Sequence, residues 1–177
     1  MFGCQYASSL HWGKGRIYRF DDPQAEYGVL YIGSDECCAF IETFGDSRNV
    51  AGEIEVAGED LQHECIAVIR PKEALHVVDL TGRGLSNIGA DGRLCAGDDY
   101  AVSQLWSRAL WSHLDRPDGL LYRARHDQGR TSLALFKSDD QDAPGVLTEE
   151  VRGSLLARAN MHLLRNILST YRVNLLP

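Results

Sequence analysis

The chain has 177 residues, 44% of them hydrophobic, which is enough for one substantial core in a single domain. Its formal net charge of −7 argues against a nucleic-acid-binding surface, because such surfaces depend on clustered Lys and Arg. No apolar run approaches the ~20 residues that a membrane helix needs, and no export signal is visible. We expect one domain over residues 1–177 that binds neither nucleic acid nor membrane.

The cysteine content is the evidence for the cellular compartment. There are five cysteines, an odd number without a repeating spacing. This favours reduced intracellular thiols over a disulfide framework. A cytoplasmic location is therefore predicted.

A strand followed by a helix is predicted in the first quarter of the chain. Tyr27–Gly33 is rich in β-branched and aromatic residues between glycines, which is typical of a strand. Ser34 is the expected N-cap of the next helix, because Asp35 and Glu36 then lie in its first turn, where carboxylates offset the helix dipole. That helix is expected to end near Gly45.

The middle of the chain is dominated by strands, bounded mostly by turn residues. They are predicted at residues 52–56, 65–70, 75–80, 119–125 and 132–136. A helix is expected to start near Asp99 and to pack on a sheet through an apolar stripe. The stripe consists of Val102, Leu105, Trp106, Ala109, Leu110 and His113.

The last segment is predicted as an exposed acidic loop at residues 138–145 and an amphipathic helix at residues 146–172. Thr148 is the expected N-cap of this helix. Its apolar face would be formed by Val151, Leu155, Ala159, Leu163, Leu164, Ile167 and Tyr171. That face is expected to dock on the protein's own sheet, with homodimerisation as the alternative.

Three short segments carry a family resemblance. Arg19 precedes a Leu-Tyr strand, and Glu42 follows Tyr31 by eleven residues. In this pattern the sequence resembles the RES-domain family, and further blocks match in the same order over about residues 15–137. They include 78–82, 89–91, 103–106, 118–126 and 134–136.

The resemblance implies an α+β fold like that of ADP-ribosyltransferases, with mixed, mostly antiparallel sheets flanked by helices. It also implies an enzyme that consumes NAD by cleaving its nicotinamide–ribose bond, passing ADP-ribose to water, phosphate or a protein side chain. Family members often act as the toxin of a toxin–antitoxin pair. A helix-turn-helix antitoxin is therefore the implied partner.

Physical roles can be given to the matching residues. Bond cleavage builds positive charge on the ribose, which a fixed carboxylate at Glu42 would stabilise. A planar guanidinium at Arg19 suits the diphosphate of NAD, and the ring of Tyr31 is a candidate to stack on nicotinamide. Tyr122 and Arg125 are further candidate NAD-binding residues by resemblance.

Each of these residues also has a structural interpretation. Glu42 lies at the edge of an apolar helix face, where a hydrated boundary carboxylate is common. Tyr31 lies within a strand, where a core-packing role is common. Arg19 alone is typical of a solvated surface charge.

The chain departs from the family pattern at Ala124, the position of the serine in the family's name. A methyl group there leaves a phosphate or ribose oxygen without its hydroxyl donor, and Ser132 is a conceivable replacement. The family's upstream arginine also has no clear counterpart, although Arg16 or His11 are candidates. These departures favour a second hypothesis, a catalytically weakened module that binds NAD or a partner protein.

Two other kinds of site are rejected. The glycines at residues 81–84 lack the spacing and βαβ context of a dinucleotide fingerprint. The histidines are scattered, and adjacent Cys37 and Cys38 lack the spacing of a zinc site. No metal is predicted.

Overall fold

The computed structural model describes residues 1–139, 143 and 147–177. Its strands are β1 (Phe2–Gly3), β2 (Tyr27–Gly33), β3 (Glu55–Ala57), β4 (Glu64–Pro71), β5 (Val77–Leu80), β6 (Gly119–Arg123), β7 (Thr131–Ser138), β8 (Leu147–Ser154) and β9 (Asn174–Leu176). Its helices are α1 (Glu36–Phe44), α2 (Gly58–Gln62), α3 (Arg83–Asn87), α4 (Arg93–Ala96), α5 (Tyr100–Trp111) and α6 (Met161–Tyr171). Within these described ranges no helix has the length and apolar character to span a membrane.

The strands form mixed sheets. The larger sheet has the order β2-β7-β6-β5, in which only the β5–β6 pair is parallel. A second sheet, β1-β4-β8, is antiparallel, and β3 pairs with β9 in parallel. This mostly antiparallel arrangement with flanking helices confirms the predicted α+β class.

The turn from β2 into α1 is tight. A Cβ added at Gly33 would lie 2.6 Å from the backbone nitrogen of Ala39, so the strand can meet the helix only through a glycine. The N-cap is Asp35 and not the predicted Ser34, because the Asp35 side chain accepts from Cys38 N at 2.7 Å. The predicted end of the helix at Gly45 is confirmed.

Two apolar clusters lie inside the protein. The first comprises Phe20, Tyr27, Val29, Leu80, Leu85, Leu94, Cys95, Leu120, Tyr122, Ala134 and Phe136. The second comprises Cys37, Phe40, Ile41, Phe44, Ile54, Val56, Leu61, Ile66, Leu155, Leu164 and Ile167. Because α1 follows directly from β2, it joins the larger sheet to the second cluster.

The predicted apolar stripe of α5 is only partly the buried face. Val102 and Leu105 are 50% and 63% exposed, whereas Ser103 and Ser107 are buried. The Ser107 hydroxyl donates to Phe20 O at 2.7 Å and shares a 2.8 Å hydrogen bond with the hydroxyl of Tyr27. Small hydroxyl groups therefore let this helix approach the main chain closely while satisfying buried polar groups.

The predicted helix at residues 146–172 is wrong in its first half. Residues 147–154 form β8, which pairs with β4 along its length, and Thr148 does not cap a helix. Gly153 has a φ of +77°, which an α-helix does not allow. A 3-10 turn at Arg158–Asn160 leads into the α-helix Met161–Tyr171, whose Leu164 and Ile167 are buried in the protein's own core.

Two further predictions concern loops and cysteines. The predicted acidic loop at 138–145 falls largely on residues 140–142 and 144–146, which lie outside the described residues.

Cys4 and Cys65 form a disulfide that ties β1 to β4. The prediction that all cysteines are reduced is therefore wrong, because a count and spacing cannot show which thiols the fold brings together.

Removal of the Cys4–Cys65 bridge is expected to destabilise the fold. The bridge spans a sequence separation of 61 residues, for which the chain-entropy model gives ~4 kcal/mol of unfolding free energy. Denaturant titrations followed by circular dichroism should show the Cys4→Ser/Cys65→Ser variant and the reduced wild type unfolding at the same, lower midpoint. An oxidised wild type with the midpoint of the reduced protein would contradict the bridge.

Candidate active site

Arg19 lies in the loop before β2 and is 7% exposed. Its Nη1 donates to Gly97 O at 2.6 Å, and its guanidinium lies 4.5 Å from the ring centroid of Tyr100. It makes no ion pair within residues 1–139, 143 and 147–177. No buried side-chain nitrogen or oxygen of that part lacks a partner, so Nε and Nη2 of Arg19, for which no hydrogen bond is found there, keep some contact with solvent. They are available to an anion.

Tyr31 holds the loop that carries Arg19. Its hydroxyl accepts from Phe20 N at 2.9 Å and donates to Asp21 Oδ1 at 3.0 Å. The other oxygen of Asp21 accepts from two backbone amides, at Ile17 and Tyr18, each at 3.0 Å. Burial raises the pKa of Tyr31 well above its ordinary value. The phenol therefore stays protonated and acts as a donor to Asp21.

Glu42 lies in the second half of α1. The residue is exposed as a whole, but its Oε1 accepts from the backbone N–H of Arg125 at 2.8 Å. Burial of the carboxylate raises the pKa of Glu42, while this amide and the charges of His126 and Arg19 lower it. The carboxylate therefore turns inward from an exposed helix position toward positive groups.

Tyr122 is buried in β6, where the charges of both Glu42 and Arg19 act on its phenol group. Burial raises its pKa, the charge of Glu42 raises it further, and the Ser132 hydroxyl and Arg19 lower it. Ser132 Oγ also lies 3.2 Å from the thiol of Cys38 in α1. Tyr122, Ser132 and Cys38 are therefore buried polar side chains on β6, β7 and α1.

Arg125 connects Glu42 with Tyr100, the residue on which Arg19 lies. Its backbone holds Glu42, while its guanidinium bonds to Asp98 Oδ1 at 2.5 Å and to the Tyr100 hydroxyl at 3.4 Å. Tyr100 therefore contacts Arg19 through its ring and Arg125 through its hydroxyl. We call the set Arg19, Tyr31, Glu42, Tyr122 and Arg125 the candidate site.

The structure brings most of the sequence-predicted residues together. Ala124, which the sequence predicts to face the bound nucleotide, instead lies in the protein interior. Ala124 is completely buried, and its backbone N–H donates to Arg130 O at 3.0 Å. Its methyl group reaches no solvent in this structure. Sequence reasoning missed Tyr100 and Asp98, whose only sequence signal is their place beside the predicted start of α5.

A surface depression of about 370 Å³ lies elsewhere. It is lined by Ser34, Asp35, Asp127, Gly129, Arg130 and Thr131. Arg130 is already paired with both aspartates, so no free positive charge is left for an anion. No group of three or more His, Cys, Asp or Glu side chains is placed to hold a metal ion in the described part of the chain.

A family model named RES domain matches residues 3–156. The chain belongs to the RES domain family. The match extends beyond residues 15–137 at both ends and takes in β8. It includes all five residues of the candidate site, so the RES domain contains the whole arrangement described above.

Two known proteins resemble this RES chain. "Probable toxin y4kH" of Sinorhizobium fredii (strain NBRC 101917 / NGR234) is 28% identical over 85 residues. That alignment spans 48% of this chain and 66% of the relative, just under two thirds of its length. The crystal structure of the M. tuberculosis MbcT–MbcA toxin–antitoxin complex matches with a TM-score of 0.65 and 20% identity, covering 90% of this chain and 84% of that one. This last likeness is one of fold.

Replacement of Tyr31 by Phe is expected to lower the free energy of unfolding by about 1–3 kcal/mol, because Phe20 N–H and Asp21 lose a shared buried partner. Tyr18→Phe is the matched control, since that tyrosine is 57% exposed and should show almost no change. Thermal unfolding of both variants measures the difference. Equal stabilities would mean that the Tyr31 hydroxyl does not hold the loop.

Proposed function

We propose that this RES chain cleaves the nicotinamide–ribose bond of NAD and acts as a toxin held by an antitoxin protein. Family membership and the relatives named as toxins support the class of protein. The observation that carries the reaction is the inward-turned carboxylate of Glu42, bonded to Arg125 N and within the field of Arg19. The neighbouring positive groups favour the ionised form of this carboxylate. An ionised carboxylate in a fixed position can stabilise the positive charge that develops on the ribose.

The proposed step is heterolytic. The bond between the ribose C1′ and the ring nitrogen breaks, and its electron pair leaves with neutral nicotinamide. The positive charge that develops on the ribose is opposed by Glu42, which acts more strongly on the transition state than on the substrate. An oxygen of water, phosphate or a protein side chain then bonds to C1′, and an acceptor that carries a proton releases it.

Diphosphate binding is assigned to the two arginines. Arg19 keeps N–H groups that reach solvent, whereas Arg125, the second guanidinium on Tyr100, is paired with the exposed Asp98 and would exchange that carboxylate for a phosphate oxygen. Paired N–H donors of this kind match phosphate oxygens. Tyr31 would support Arg19 through the loop, and its stacking on nicotinamide remains a prediction, as does the NAD contact of Tyr122.

The second candidate function is a RES module that binds NAD or a partner without efficient cleavage. Ala124 favours it, because the position of the family's serine carries no hydroxyl and is completely buried. Calorimetry of NAD binding and an assay of nicotinamide release distinguish the two functions. A binding module predicts that the wild type binds NAD without releasing nicotinamide, whereas the NAD-cleaving enzyme releases it.

The partner is proposed to be a helix-turn-helix antitoxin. This proposal is supported by the resemblance to the family and by the toxin–antitoxin complex among the similar structures. Homodimerisation through the C-terminal helix has less support. The apolar residues Leu164 and Ile167 of α6 are used within the protein's own core.

Substitution of Glu42 by Gln is expected to lower nicotinamide release from NAD by at least about 100-fold, because the amide keeps the shape of the side chain but carries no charge to oppose the ribose cation. Release is followed by chromatography. Glu36→Gln in the first turn of the same helix is the matched control and should keep nearly full activity. Equal release by wild type and Glu42→Gln would refute the catalytic assignment.

A further inference from the structure

The connection between β6 and β7, residues 124–130, lies against the whole length of α1. In the second half of the helix, the backbone N–H of Arg125 donates to Glu42. At the start of the helix, the guanidinium of Arg130 forms an ion pair with the N-cap residue Asp35. We call residues 124–130 the β6–β7 loop.

The same loop also contacts the end of α1. A Cβ added at Gly45 would lie 2.5 Å from the ring of His126, so this ring packs directly on the C-cap. His126 Nε2 lies 3.3 Å from Asp46 Oδ1. The loop therefore meets the helix at its start, in its second half and at its end.

Arg130 contacts both the loop and α1 through its side chain. Its Nε donates to Asp127 Oδ2 at 3.0 Å, and that oxygen also accepts from the hydroxyl of Tyr171 in α6 at 2.9 Å. One oxygen of Asp35 caps α1 by accepting from Cys38 N, and the other pairs with Arg130. Arg130 thus ties the loop to two helices.

The main chain transmits this attachment to Glu42. The carbonyl of Arg130 accepts from Ala124 N at 3.0 Å, and its own N–H donates to Asp127 O at 3.0 Å. Gln128 Nε2 donates to Ala124 O at 2.8 Å. Because Ala124 directly precedes Arg125, a displacement of Arg130 moves the amide that holds Glu42.

We propose that Arg130 is a positioning residue for Glu42, acting through the ion pair with Asp35 and the closed β6–β7 loop. The catalytic consequence rests on the function proposed above, whereas the structural linkage does not. The side chains of Arg130 and Asp35 are 26% and 37% exposed, so solvent weakens their contribution to stability. Their main effect is to fix geometry.

The most informative variant is Asp35→Asn, because a through-space charge effect and a loosened loop would shift the pKa of Glu42 in opposite directions. Asparagine also caps helices well, so α1 stays formed while the charge partner of Arg130 is lost. Loss of a nearby negative charge acting through space alone would lower the pKa of Glu42. A loosened loop weakens the Arg125 N–H bond to the charged carboxylate and raises that pKa by about one pH unit.

The measurement is a ¹³C NMR titration of the Glu42 carboxyl group, together with hydrogen exchange of the Arg125 amide. Asp35→Asn and Arg130→Gln are both expected to raise the pKa of Glu42 and to speed this exchange. Arg93→Gln is the matched control, because Arg93 also pairs with an aspartate, while its side chain is 89% exposed and, among the described residues, makes no hydrogen bond or ion pair with α1 or the β6–β7 loop. An unchanged or lowered pKa of Glu42 in Asp35→Asn would overturn the proposal, as would an equal rise in Arg93→Gln.

Kinetics separate this proposal from the proposed function. If the wild type releases nicotinamide, Asp35→Asn is expected to lower kcat about tenfold at a nearly unchanged KM. If the wild type releases none, the NAD-cleaving function fails, and the titration still decides whether Arg130 positions Glu42. If Arg130→Gln does not fold, the decision rests on Asp35→Asn.

Discussion

The candidate site depends on the hydrogen bond from the backbone N–H of Arg125 to the carboxylate of Glu42. The sheet makes this contact possible, because Ser132 of β7 is paired with Gly33 on one side and with Tyr122 on the other. The end of β2, where α1 starts, and the end of β6 therefore lie on either side of one strand. A carboxylate on α1 is thus brought to the main chain that follows β6.

The two arginines of the site are held by side-chain contacts and not by the sheet pairing that positions Glu42. Arg19 is carried by a loop that Tyr31 and Asp21 fasten to the sheet, and its guanidinium stacks on Tyr100. Arg125 bonds to the hydroxyl of the same tyrosine. A protein of net charge −7 thus gathers two guanidinium groups around one aromatic ring. Asp98 offsets the charge of Arg125, so Arg19, which makes no ion pair in the described part of the chain, is the guanidinium proposed to bind the diphosphate first.

Local patterns predicted local structure well. The β2 strand and the helix after it were found because their signals lie within a few residues, and the family resemblance pointed to Glu42 and Arg19. The contacts that complete the site span far greater separations, such as 78 residues from Arg19 to Gly97 and 95 from Asp35 to Arg130. No local pattern encodes these contacts.

Where the sequence misled, distant contacts outweighed local preference. The segment at residues 147–154 has a helical pattern but pairs with β4, and strand pairing is a long-range interaction. The buried face of α5 carries Ser103 and Ser107, because each hydroxyl finds a main-chain carbonyl inside the protein. Hydrophobic periodicity registers neither kind of contact.

A crystal structure of the Glu42→Gln variant with NAD bound would test the proposed site most directly. We expect the nicotinamide ribose in contact with residue 42 and the diphosphate on the guanidinium of Arg19. A nucleotide bound elsewhere, for example in the depression beside Asp35 and Arg130, or one whose ribose lies away from residue 42, would contradict the proposed site.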